Sequence, residues 1–149
     1  MSENSEKIVE ERGIPNQALY DKALNEHESL AKDLTRPKTA DYVVLTVFEN
    51  GWHLLTEAEK VYAISTTADR SEYRPSTSNK YRRNVTVFFP GIHVIGKPYM
   101  ALIPFYVSGD VKIEGRSIRL RSCYDIYGSC DLEIPTNGKL GAFLMLDVK

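Results

Sequence analysis

The sequence predicts a mainly β protein, an antiparallel β-sandwich or barrel of about eight strands, preceded by an N-terminal amphipathic α-helix. Three observations carry this. From Asp41 onward, short runs of β-branched and aromatic residues alternate with turn residues. Between Pro15 and Pro37, by contrast, Leu19, Ala23, Leu30 and Leu34 recur at helical spacing. A chain of 149 residues with 42% hydrophobic and 26% charged residues has the composition of a globular protein and the length to bury a core of its own.

Residues 1–13 are polar, with Ile8 and Val9 as the sizeable apolar side chains, and read as a flexible N-terminus. Residues 14–36 read as a helical arm in which Tyr20, Leu24 and Ala31 flank the stripe of Leu19, Ala23, Leu30 and Leu34. Pro15 or Asn16 suits its start, and Pro37 follows its end because proline cannot continue the helical hydrogen bonding. Residues 1–36 carry a net charge of −3, and the stripe requires burial on the β body, on a second copy or on a partner.

Residues 37–149 read as a single β-rich domain. Residues 42–48 are apolar on both faces, and Asn50-Gly51 predicts a tight hairpin that returns residues 52–55 antiparallel, with His53 across from Phe48 and Leu54 across from Val47. Thr56-Glu57-Ala58-Glu59 has capping-box spacing and predicts a helical turn before residues 61–66 resume the sheet. In residues 84–89, Val85, Val87 and Phe89 share one side; Pro90-Gly91 breaks the run and residues 92–95 form the next strand.

Residues 99–107 are apolar on both faces, and Pro104 requires an edge position or a bend because its ring removes a ladder donor. Ser108-Gly109-Asp110 reads as a turn. Over residues 118–134 the even positions Ile118, Leu120, Tyr124, Ile126, Cys130, Leu132 and Ile134 form a core face, opposed by Arg119, Arg121, Asp125, Asp131 and Glu133 on a wet face. Fully extended, this run would span about 56 Å, too long for a domain of this size, so Gly128 is the expected place for it to fold back. Pro135-Thr136-Asn137-Gly138 predicts a turn before a last strand over residues 140–148.

The net charge of −1 argues against a duplex-DNA binder, which needs a basic excess to displace phosphate counterions. The N-terminus lacks a signal-peptide profile and no apolar run reaches membrane-spanning length, so the cytoplasm is the expected compartment and a membrane partner is not expected. Two cysteines, Cys123 and Cys130, are too few for a disulfide scaffold and read as free thiols. His27, His53 and His93 are isolated from further ligand residues at metal spacing, and no nucleophile elbow, phosphate-binding glycine loop or zinc-protease helix occurs. No catalytic residue, metal ligand or cofactor is therefore assigned.

The most distinctive polar stretch spans residues 67–83, with a net charge of +3 from Arg70, Arg74, Lys80, Arg82 and Arg83 against Asp69 and Glu72. Tyr73 and Tyr81 are interleaved. Guanidinium groups grip phosphate and tyrosine rings stack on bases, so Arg70, Tyr73, Arg74, Lys80, Tyr81, Arg82 and Arg83 form a candidate site for an anionic ligand, a nucleotide or single-stranded nucleic acid. Arg70-Ser71-Glu72-Tyr73-Arg74 resembles the Arg-x-x-x-Arg half of the PilZ signature, which in that family implies a cyclic dinucleotide; the Asp/Asn-Ser-Gly half has no match here.

The leading expectation is a non-enzymatic binding or assembly module that self-associates, as a homo-oligomer, or docks on a protein partner through its helical arm and β surface. Leu19, Ala23, Leu30 and Leu34 would form the interaction helix. A nucleotide or single-stranded nucleic-acid binding domain is the alternative, and an enzyme with dispersed catalytic residues the second.

Overall fold

The structure is a computed structural model that describes residues 8–14, 16–65, 82–95 and 100–146. It is mainly β, with two antiparallel sheets in a sandwich-like arrangement and a helix near the N-terminus. In chain order the elements are β1 (Val9–Gly13), α1 (Gln17–Asp33), β2 (Tyr42–Leu45), α2 (Glu49–Ser65), β3 (Arg82–Phe88), β4 (Gly91–Ile95), β5 (Met100–Ser108), β6 (Lys112–Ile113), β7 (Arg116–Ser117), β8 (Ser122–Ile126), β9 (Cys130–Ile134) and β10 (Lys139–Leu146). One sheet has the order β1-β8-β5-β10-β3-β2 and the other β4-β9-β6-β7.

Alternation along the strands of the larger sheet divides the interior in two. On β10, Phe143 and Met145 pack toward the helices, whereas Leu140, Ala142 and Leu144 pack toward the smaller sheet. This is why β5 reads as apolar on both faces and why β10 is buried along most of its length: each is covered on both sides. Pro104 lies in β5, which is central rather than at an edge, and sits where the register with β10 shifts between Gly141 and Ala142. The bend allowed by the sequence is thus a bulge, which accommodates the missing N–H.

α1 starts at Asn16, whose side-chain oxygen accepts the Leu19 N–H at 3.0 Å. It lies on the outer face of the larger sheet and buries Tyr20, Ala23, His27 and Ala31. Beyond its end, the Lys139 ammonium donates to the carbonyls of Ala31, Lys32 and Leu34 at 2.8, 3.1 and 2.6 Å, satisfying groups that a helix terminus leaves unpaired.

The predicted hairpin at Asn50-Gly51 does not form; α2 occupies residues 49–65, and with it the expected pairings of His53 with Phe48 and Leu54 with Val47, the separate helical turn at Thr56 and the strand over residues 61–65 are all replaced. Residue 66 lies outside the described residues. Gly51, Leu54, Leu55 and Ala58 are all buried, one face of a helix. Gly51 is required there by close approach rather than by a turn. A Cβ on it would stand 2.8 Å from Phe143 and 3.1 Å from the His27 ring.

Val9–Gly13, expected within the flexible N-terminus, forms an edge strand antiparallel to β8. Side chains pin it: the Glu11 carboxylate accepts from the Ser122 hydroxyl and from Arg119, both at 2.7 Å, and the Ser122 bond leads in holding its pKa below the usual carboxylate value. Asp125 does not lie on a wet face. Rather than facing water it is 2% exposed and accepts from Arg12 Nε at 2.6 Å, because β1 and α2 cover that side of β8. Leu120, expected in the core, is exposed.

The fold-back at Gly128 does occur: β8 ends before it and β9 begins after it, in the other sheet. The turn before β10 forms as expected too, with the Gly138 N–H donating to the Pro135 carbonyl at 2.8 Å and Asn137 at a φ of +69°. Among the described residues, no helix is long and apolar enough to cross a membrane.

Candidate functional site

The two sheets part along one side of the sandwich, where β2 ends the larger sheet and β4 ends the smaller. Consecutive strands β3 and β4 lie in different sheets and are linked through Phe89-Pro90. A cleft of about 520 Å³ lies between them. Its sheet wall follows from register. Tyr42 pairs with Phe88 and Val44 with Thr86 across β2 and β3, and Leu144 pairs with Asn84 across β10 and β3, so one pleat face delivers all six. His93, Val94 and Ile95 of β4, Met100 of β5, Ser129 before β9 and Leu146 of β10 complete the described lining.

The lining is mostly apolar, with a few polar groups of fixed orientation. The Thr86 hydroxyl donates to Asn84 Oδ1 at 2.9 Å. His93 Nε2 lies 2.8 Å from the Phe89 carbonyl oxygen, and its ring meets Phe88 edge-on at 5.2 Å. Tyr42 in turn stands 6.3 Å from Phe88. No Lys, Arg, Asp or Glu is among the described lining residues.

Of the basic and tyrosine residues singled out from the sequence, the described ones do not line the cleft. Arg70, Tyr73, Arg74, Lys80 and Tyr81 are outside the described residues. Arg82 is exposed at the start of β3, and Arg83 lies with its guanidinium 4.6 Å over the Trp52 ring while donating to Thr56 Oγ1 at 2.7 Å. Of the expected interaction helix, Ala23 is fully buried in the chain's own core, Leu19 and Leu34 pack partly buried against it, and Leu30 is exposed.

Cys123 and Cys130 are free and buried in different cores. Burial raises both thiols, Cys130 to about 12, so neither is a ready nucleophile. Among the described residues no group of three His, Cys, Asp or Glu side chains could hold a metal ion.

The cleft residues escaped the sequence reading for a simple reason. Val85, Val87 and Phe89 marked the core face of β3, which left Asn84, Thr86 and Phe88 as its other side. Their own alternation was visible, but their convergence with β4 was not.

No family model and no curated protein matches the sequence. Among solved structures the chain is similar in fold to the viral collagen prolyl hydroxylase vCPH from Paramecium Bursaria Chlorella virus-1, in its 2OG complex. The TM-score is 0.55 at 8% identity, over 95% of this chain and 97% of that one.

Proposed function

We propose that this chain is a non-enzymatic binding module that works through its β surface and takes an uncharged, largely apolar small molecule in the cleft between β2 and β4. The observation that carries this is the cleft itself: about 520 Å³, apolar walls and a few oriented polar groups, the usual make-up of a small-molecule site. The described lining does not suit the 2OG of the structural neighbour's complex. A dicarboxylate in a desolvated site needs cationic partners, and the described lining holds no Lys or Arg.

Nile red, an uncharged dye that brightens in apolar surroundings, tests the reading. Saturable emission is expected with the native chain, and Val44→Trp, which fills the cleft mouth from an exposed edge position, should abolish most of it. Emission that never saturates, or that Val44→Trp leaves unchanged, overturns the proposal. The cytoplasm is the compartment we propose, supported by two thiols that remain free and buried.

A second reading, assembly with another copy of the chain, is favoured by β4. Ile92 and Val94 stand 69% and 70% exposed on this edge strand, and residues 91–95 contain no Lys, Arg, Asp or Glu. An antiparallel copy would therefore meet no like-charge repulsion within the strand. Light scattering should give the mass of a dimer for the native chain and of a monomer for Ile92→Lys with Val94→Lys. A native chain that stays monomeric as concentration rises sinks this reading.

A further inference from the structure

His93 carries the cleft beyond a preference for apolar ligands. A carbonyl oxygen only accepts, so the 2.8 Å contact with Phe89 requires the hydrogen on Nε2. A neutral ring then presents its lone pair at Nδ1. The edge-on packing against Phe88 holds the ring plane in the lining of the cleft. Among the described residues, no N–H or O–H donates to Nδ1. Asn84 is similarly half-used: its oxygen receives the Thr86 hydroxyl, and its amide N–H groups meet no acceptor among the described residues.

Two consequences follow for a ligand. An apolar molecule lacking a donor would cover Nδ1 and strip it of water without replacing the bond. A charged molecule would lose its hydration with no ionic partner in the described lining. Resting on the binding reading above, we infer that the cleft selects uncharged apolar molecules that carry a hydroxyl or N–H donor, an aromatic alcohol being the simplest, with His93 Nδ1 accepting the ligand's hydrogen. His93 is thus the residue that sets specificity, and the apolar walls supply the bulk of the affinity.

Three probes of one shape separate these contributions: naphthol, its methyl ether, and naphthalene sulfonate. Each is titrated against the full chain by ligand-observed NMR under identical buffer conditions. Naphthol is expected to bind about fivefold or more tightly than the ether, the equivalent of one net neutral hydrogen bond, and the sulfonate not to bind. In His93→Phe, which keeps a ring against Phe88, naphthol should fall to the level of the ether. Equal binding of naphthol and ether to the native chain, or a naphthol preference that persists in His93→Phe, overturns the donor inference while the cleft reading stands. If no probe binds, both fall.

Discussion

His27 is fully buried between Phe48, Phe105 and Phe143, whose ring centroids lie 4.8, 5.7 and 4.8 Å from its own. Nδ1 donates to the Ala23 carbonyl at 2.8 Å and Nε2 accepts the Phe48 N–H at 3.1 Å, so the neutral ring joins α1 to the segment that enters α2. The neighbouring carboxylate, Glu26, is engaged by the Asn50 backbone N–H and side-chain amide at 3.2 and 2.7 Å. Burial outweighs these and holds the His27 pKa below the ordinary 6.5. The unfolded chain therefore binds a proton that the folded chain refuses. Stability from this group is complete above about pH 6.5 and declines as the pH falls toward the lowered value. His27→Gln retains a donor and an acceptor without titrating. Between about pH 7.5 and pH 5.5 the urea midpoint of the native chain should fall more steeply than that of His27→Gln; parallel declines would show that His27 is not the acid-sensitive group. At this scale the sequence was only partly legible. Asp125 looked like a wet-face carboxylate because its partner Arg12 lies far away in the chain.

At the scale of elements, local rules worked where the deciding contacts were local. The Asn16 cap, the stop before Pro37, the bend at Gly128 and the turn at Pro135 all rest on backbone preferences within a few residues. They failed at Asn50-Gly51, which satisfies a hairpin turn and a tightly packed helix equally well. The absence of a Cβ at Gly51 is needed by Phe143, from the other end of the chain. α1 shows the same dependence on distant residues. Its last carbonyls are satisfied by Lys139 of β10, whose ammonium also stands 5.6 Å from the Phe89 ring. Lys139→Met keeps the aliphatic stem and removes the charge and its donors. A loss of about 1–2 kcal/mol is expected from urea unfolding, the upper range for a partly buried cation at a helix C-terminus. An unchanged midpoint would mean that water caps the helix equally well.

For the molecule as a whole, α1 and β1 are structural parts rather than an appendage. α1 and α2 cover one face of the larger sheet, the smaller sheet covers part of the other, and β1 closes an edge. Deleting residues 1–36 would expose Phe105, Phe143 and Leu54 together, which are now at most 1% exposed. At about 1.5–3 kcal/mol for each large side chain, that loss approaches the whole stability of a typical domain, about 5–15 kcal/mol. The truncated chain should lose its near-ultraviolet circular dichroism and its dispersed NMR spectrum; a well-folded truncation product would contradict this account. What the sequence alone determined is the mainly β class, the amphipathic α1 and most turn positions, because alternation, helical spacing and turn chemistry act between near neighbours. Only the tertiary structure decided that residues 49–65 are helical, that the α1 stripe is largely consumed by the chain's own core, and that Tyr42, Asn84, Thr86 and His93 line one cleft. Those outcomes depend on which strand edges end beside each other and which faces are covered. Both are settled by contacts between residues far apart in the chain.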